Sequence, residues 1–182
     1  DALIALADKY GVVIIEDNAH GLYGKYHDKY LGSIGSIATQ SFHGTKNISC
    51  GEGGAIILND EEFFERAKVI REKGTNRSQF LDGKVDKYTW VDEGSSYVMS
   101  DILASLLFNQ LNHADSIQQK RKHVWDTYER ELRNWAESCD IATPHVPSHC
   151  SQSYHLYYLL LPNAAKRDHF IGFMDERGVE TV

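Results

Sequence analysis

Proline is scarce in this sequence, three residues in 182, and no apolar run approaches the roughly 20 residues that a membrane-spanning helix needs. No stretch has the order of a secretory leader, so the cytosol is the default location and no membrane partner is expected. Cysteine is sparse as well. Cys50, Cys139 and Cys150 are odd in number and lack the paired spacing of zinc ligands, which argues against both a disulfide framework and a metal site and leaves three free thiols. An excess of positive charge is also missing: the net charge is -7, spread over the whole length, so nucleic acid is a poor partner. No Gly-x-Gly-x-x-Gly and no phosphate-loop lysine follows a strand, which ranks a generic nucleotide-binding domain last. Internal repeats and low-complexity tracts are absent.

What is present has the composition of an ordinary globular protein, 42% hydrophobic and 25% charged. Asp1 to Tyr10 reads as the end of an amphipathic helix closing at Gly11, and Val12 to Ile15 reads as a buried parallel strand that ends in Glu16 and Asp17. Ile37 to Phe42 and Ala55 to Leu58 read as further strands, and Glu61 to Lys73 as a helix closed by Gly74. Thr75 to Ser96 has no clear period and is long for a passive loop. A long helical region, with room for a bend, starts at Ser100 and Asp101 and runs towards Trp135. Ile141 to Ser153 carries two of the prolines and reads as a boundary between folding units; Tyr154 to Leu161 then reads as a strand and Ala164 to Gly178 as a helix. The helix at the first residues and the strand beginning at the last ones lead us to expect an internal piece of a longer protein.

Several residues could carry chemistry. Asp17 stands at the carboxyl end of a strand, where open α/β sheets bind ligands, and a carboxylate there requires a cation or good donors opposite it. Taken alone, it reads equally as the cap of the next turn. Lys46 lies between a strand and the segment Gly51-Glu52-Gly53-Gly54, where desolvation would favour the neutral amine that attacks an aldehyde; its ordinary alternative is a solvated surface lysine. His20, Ser41, His43 and Ser96 add an imidazole pair and hydroxyls suited to a phosphate, each otherwise an ordinary loop residue. Cys50 reads as a small packing residue, and the glycines as a tight turn into the strand at Ala55.

Three segments in this order, Glu16-Asp17-Asn18-Ala19-His20-Gly21, Ser41-Phe42-His43-Gly44-Thr45-Lys46-Asn47 and Gly51-Glu52-Gly53-Gly54, resemble the DegT/DnrJ/EryC1/StrS family of sugar aminotransferases. Arg71 to Phe80, Val85 to Trp90 and Gly94 to Tyr97 resemble one branch of that family, which aminates C4 of a dTDP-linked 4-keto-6-deoxyhexose for cell-surface polysaccharide. The resemblance implies an α/β fold of the aspartate aminotransferase class (fold type I), a three-layer α/β/α large domain followed by the start of a small α+β domain. Residues 1–112 would be the C-terminal part of the cofactor-binding domain, 113–150 a connecting helix and linker, and 151–182 the beginning of the small domain.

By the same resemblance the cofactor is pyridoxal 5'-phosphate (PLP). Lys46 would join it as a Schiff base and shuttle a proton, Asp17 would pair with the ring nitrogen, His20 would lie near the phenolic oxygen and Ser41 would meet the phosphate. Ser96 stands where the family often has an Asn that reaches the phosphate in the neighbouring subunit, so a homodimer with shared active sites is implied, with glutamate and a dTDP-sugar as substrates. Lys46 argues against the family's dehydratase branch, which has His there. The upstream helix terminus and ring-covering aromatic of the family lie outside this stretch, so the chain alone is expected to be inactive. A sister aminotransferase acting on another carbon or sugar, and a non-catalytic relative that pairs with a complete subunit, are the alternatives carried forward.

Overall fold

The first helix, α1 (Ala2–Tyr10), stops where Gly11 takes a left-handed backbone (φ 62) and Val12 N–H returns to the Ala7 carbonyl at 3.0 Å. Glycine adopts that conformation without the steric cost a Cβ imposes. The structure, a computed structural model, describes residues 1–182. The chain then forms β1 (Ile15–Asp17), β2 (Lys25–Tyr26), β3 (Lys29–Tyr30), β4 (Ile37–Ser41) and β5 (Gly54–Leu58). A 3-10 turn at Glu61–Phe63 leads into α2 (Phe64–Arg71), followed by α3 (Arg77–Leu81), α4 (Asp101–Asn112), α5 (Ala114–Ser138), β6 (Cys150–Ser151) and α6 (Ala164–Asp175). No helix is long and apolar enough to cross a membrane.

The chain divides into two compact units, residues 1–114 with 149–153, and residues 115–148 with 154–182. In the first, a three-stranded sheet has the order β1-β4-β5, with β1 parallel and β5 antiparallel to β4. Its register sets Asp17 opposite Thr39 and Ser41 opposite Gly54. Glu16 anchors β1 from the side: its carboxylate accepts from the backbone N–H groups of Gly32, Ile34 and Gly35 at 2.7–2.8 Å. The buried apolar residues of this unit include Ala38, Phe42, Ile48 and Cys50. A second small sheet, β3-β2-β6, is antiparallel throughout.

Several expectations need correction. The strand expected at Val12 to Ile15 begins at Ile15 instead, and it is parallel but not buried: Val12, Val13 and Ile15 are 49–63% exposed. β1 is an edge strand, and an apolar strand is covered only where a further layer lies on it. The stretch Thr75 to Ser96 contains α3, whereas the long helical region is present as expected, its bend being a break at His113 between two helices. Tyr154 to Leu161 forms no strand. Only Leu160 pairs, with Ala142, through two backbone bonds of 2.8 and 3.1 Å. The facing stretch holds Pro144 and Pro147, which have no N–H to donate to a ladder.

In the second unit the residues of that would-be strand pack on α5 through their side chains. Trp125 Nε1 donates to the Leu156 carbonyl at 3.1 Å, Tyr128 and Tyr157 stack with centroids 5.5 Å apart, and the Tyr157 hydroxyl donates to Glu129 at 3.0 Å. Burial, reinforced by the Glu129 carboxylate, pushes the Tyr157 phenol up to about 12. α6 begins where the Asn163 side chain accepts from Lys166 N–H at 3.0 Å.

Candidate active site

β1 and β4 run parallel, so their carboxyl ends meet at one edge of the sheet. Asp17 closes β1 at that edge, and the loop that follows β4 carries Lys46. This is the edge at which open α/β sheets take ligands. Asp17 and Lys46, 29 positions apart in the sequence, are therefore brought to the same end of adjacent strands.

Asp17 does cap a turn, as its plainer reading anticipates: Oδ1 accepts from Ala19 N–H at 3.1 Å. The carboxylate is exposed and has no cationic partner within the chain. Below it the neighbouring Asn18 is buried, donating to Gln40 Oε1 at 2.9 Å and to the Leu31 carbonyl at 3.1 Å. Gly21 is required by this arrangement, because a Cβ there would lie 1.9 Å from Asn18 Oδ1.

The Lys46 loop is closed at its neck by backbone bonds from Phe42 N–H to Gly53 O (2.8 Å), Cys50 N–H to Phe42 O (3.0 Å) and Gly44 N–H to Gly51 O (2.8 Å). Gly51 takes a left-handed backbone (φ 93), and Gly53 is packed so closely that a Cβ would lie 2.4 Å from Met99 Cε. Lys46 is half-buried and forms no ion pair, while its N–H donates to the His43 carbonyl at 2.9 Å. Next to it Asn47 and Ile48 are buried, and Asn47 Nδ2 donates to the Ser153 carbonyl at 2.6 Å.

The remaining candidates divide. Ser41 ends β4, and its Oγ accepts from His43 N–H at 3.3 Å, which leaves the hydroxyl proton free to donate outward. His20 follows Asp17 in the same turn, with its backbone carbonyl receiving the Ser153 hydroxyl at 2.6 Å. His43 turns away to Thr45 and Glu52, its Nδ1 accepting from Thr45 N–H at 3.2 Å and its Nε2 lying 3.4 Å from the Glu52 carboxylate. Ser96 does not join the group within this chain: it is exposed and bridges Glu72 through its backbone. Cys50 is buried with its Sγ directed at the Phe42 and Glu52 carbonyls, the packing role read for it. Asn47 and Ser153 were not foreseen; their link spans 106 positions, and no local pattern signals it.

The model of the DegT/DnrJ/EryC1/StrS aminotransferase family matches residues 1–182, and the chain belongs to that family. A pleiotropic regulatory protein of Geobacillus stearothermophilus is 33% identical, over all of this chain and 46% of its own length. The UDP-4-amino-4,6-dideoxy-N-acetyl-beta-L-altrosamine transaminase of Campylobacter jejuni is 30% identical over 88% of this chain and 41% of its own. Among solved structures, the PMP form of Spr1654 from Streptococcus pneumoniae superposes with a TM-score of 0.80 at 28% identity, covering 93% of this chain and 44% of that one. The same protein has also been solved in a PLP form. The chain thus spans less than half the length of these relatives, and its fold is that of the PLP-dependent aminotransferases of this family.

Proposed function

We propose that this chain belongs to a transaminase that uses PLP to move an amino group from L-glutamate to C4 of dTDP-4-keto-6-deoxy-D-glucose, giving dTDP-4-amino-4,6-dideoxy-D-galactose. The observation that carries the reading is the placing of Asp17 and Lys46 at the carboxyl ends of the adjacent parallel strands β1 and β4. Family membership supports the reaction class. The choice of sugar and carbon rests on the resemblance of residues 71–97 to one branch, and a sister nucleotide-sugar aminotransferase is the second reading, favoured by the Campylobacter relative. A homodimer with shared sites and a cytoplasmic location accompany the proposal.

The donor set suits PLP. Asp17 keeps a carboxylate oxygen for a positively charged ring nitrogen, Lys46 offers an amine without a competing carboxylate, and Ser41 has a hydroxyl proton to give a phosphate. When bound, PLP supplies an electron sink for the carbon that carries the amino group. Asp17 would hold the proton on the ring nitrogen by its negative charge. Lys46 would anchor the group and, through Nζ, take the proton from the donor's amino-bearing carbon and return one at the sugar's C4. Ser41 would orient the phosphate by donation, Ser96 would do so for the neighbouring subunit, and the His20 imidazole would face the ring's oxygen.

The test is to purify the complete protein with PLP, reduce it with borohydride and map the modified peptide. Labelling at Lys46, lost in Lys46→Ala, together with amino transfer to the dTDP-keto sugar, supports the proposal. Labelling with transfer only to another nucleotide sugar selects the sister reading. The absence of any PLP adduct would overturn both.

A further inference from the structure

Both loops of the candidate site are held by one residue from far along the chain. Ser153 Oγ donates to the carbonyl of His20 at 2.6 Å, and the Ser153 carbonyl accepts from buried Asn47 Nδ2 at 2.6 Å. His20 lies in the turn after Asp17, and Asn47 follows Lys46 directly. One residue thus bridges the loop after β1 to the loop after β4, through its side-chain hydroxyl on one side and its backbone carbonyl on the other.

The bridge is itself well seated in the first unit. Two residues before Ser153, β6 pairs with β2, setting Ser151 opposite Lys25 and Cys150 opposite Tyr26. Just before that, the His149 carbonyl accepts from His27 N–H at 2.7 Å, and the two imidazole rings stack with centroids 5.0 Å apart. β2 begins five positions after His20, so the short sheet that docks residues 149–153 is an extension of the turn that Ser153 then grips. Such seating removes most of the freedom Ser153 would otherwise have, so its two bonds act as positioning contacts.

We infer that Ser153 is a positioning residue, which sets the separation between the His20 turn and the Lys46 loop. It touches no reacting atom. Its two partners are backbone and buried amide, so it acts through His20 and Lys46, and the inference rests on the reading of those residues as a PLP site. Without the bridge each loop moves by itself, and a ligand that contacts both must order them when it binds.

The test uses the complete protein, its Ser153→Ala and Ser153→Thr variants, and Asn47→Asp, which keeps the shape of Asn47 but replaces the donor with an acceptor. Hydrogen exchange is first followed without cofactor. Ser153→Ala speeds exchange in residues 18–24, Asn47→Asp speeds it in residues 43–51, and Ser153→Thr, which retains the hydroxyl, stays near wild type. PLP affinity is then measured by titration: Ser153→Ala weakens it about fivefold, the loss of one ordinary hydrogen bond, and Ser153→Thr restores it. A purely structural role would instead lower the melting temperature of the cofactor-free protein and leave PLP affinity unchanged. Unchanged exchange in residues 18–24, or equal PLP affinity in wild type and Ser153→Ala, overturns the inference. If the wild type takes up no PLP, the functional reading fails, and the exchange measurements alone decide whether Ser153 couples the loops.

Discussion

The loop that carries Lys46 and the stretch that carries Ser96 are both long connections, yet they are held in different ways. The first has a core of its own: Phe42, Asn47, Ile48 and Cys50 are buried, and backbone bonds cross its neck. The second is buried only at its base, at Gly74, Thr75 and Asn76, while every residue from Asp82 to Val98 except Val85 is exposed. At that base the Asn76 side chain accepts from Thr89 N–H and donates to the Lys87 carbonyl, closing the stretch on itself. A loop with its own core limits the movement of the amine it carries, and the bond from Asn47 to Ser153 adds to that hold. In the second stretch the N–H groups of Val91, Asp92, Ser95 and Tyr97 tie the backbone to residues 70–74 but the side chains stay exposed, which is what the proposed reach of Ser96 into a neighbouring subunit requires.

Four substitutions in the complete protein sharpen or break this contrast. Lys46→Ala should give the largest effect, a fall in the proposed amino transfer of about a thousandfold or more, because the proposed general acid–base group is removed; turnover assays measure it, and unchanged melting temperature would show that the loop holds without the amine. Ile48→Ala strikes the loop's core. At 1% exposure it should cost about 3 kcal/mol in denaturant unfolding and also raise the mobility of Lys46. A cost near zero would remove the claim that this loop stands on its own core.

Gly74→Ala attacks the foot of the other stretch. Gly74 has φ 73, and a Cβ there would lie 1.9 Å from the Asp92 carbonyl oxygen, so a loss of about 2 kcal/mol is expected by thermal unfolding. Ser96→Ala should be the mildest, changing stability by less than about 0.5 kcal/mol, while PLP affinity falls several-fold if the hydroxyl serves a neighbour's phosphate. A stability loss as large as that of Ile48→Ala would mean that the exposed stretch is held more firmly than its contacts imply.

Much of the first unit was legible from local patterns. Ile37 to Ser41 is a strand whose side chains alternate in burial and Ala55 to Leu58 a short apolar run bounded by turn residues, and Ser100 and, in the second unit, Asn163 start helices because their side chains accept from backbone N–H groups three residues on. The two-residue strands β2, β3 and β6 were not legible, since two residues are too few to show any period. Tyr154 to Leu161 misled for the opposite reason. Its residues have the chemistry of a strand, but the prolines opposite remove the partner and the aromatic rings find α5 instead.

By itself the sequence determined which functional groups the candidate site has to offer. An aspartate at a strand end, a lysine ahead of a glycine-rich turn and a serine closing the strand before it are choices of functional group, and those are written in residue identity. Only the tertiary structure decided that Asp17 and Lys46 share one edge, because that depends on β1 pairing in parallel with β4. It alone also decided that Ser153 reaches back across 133 positions to His20, because a hydrogen bond requires proximity in space and carries no trace in the chain between its partners.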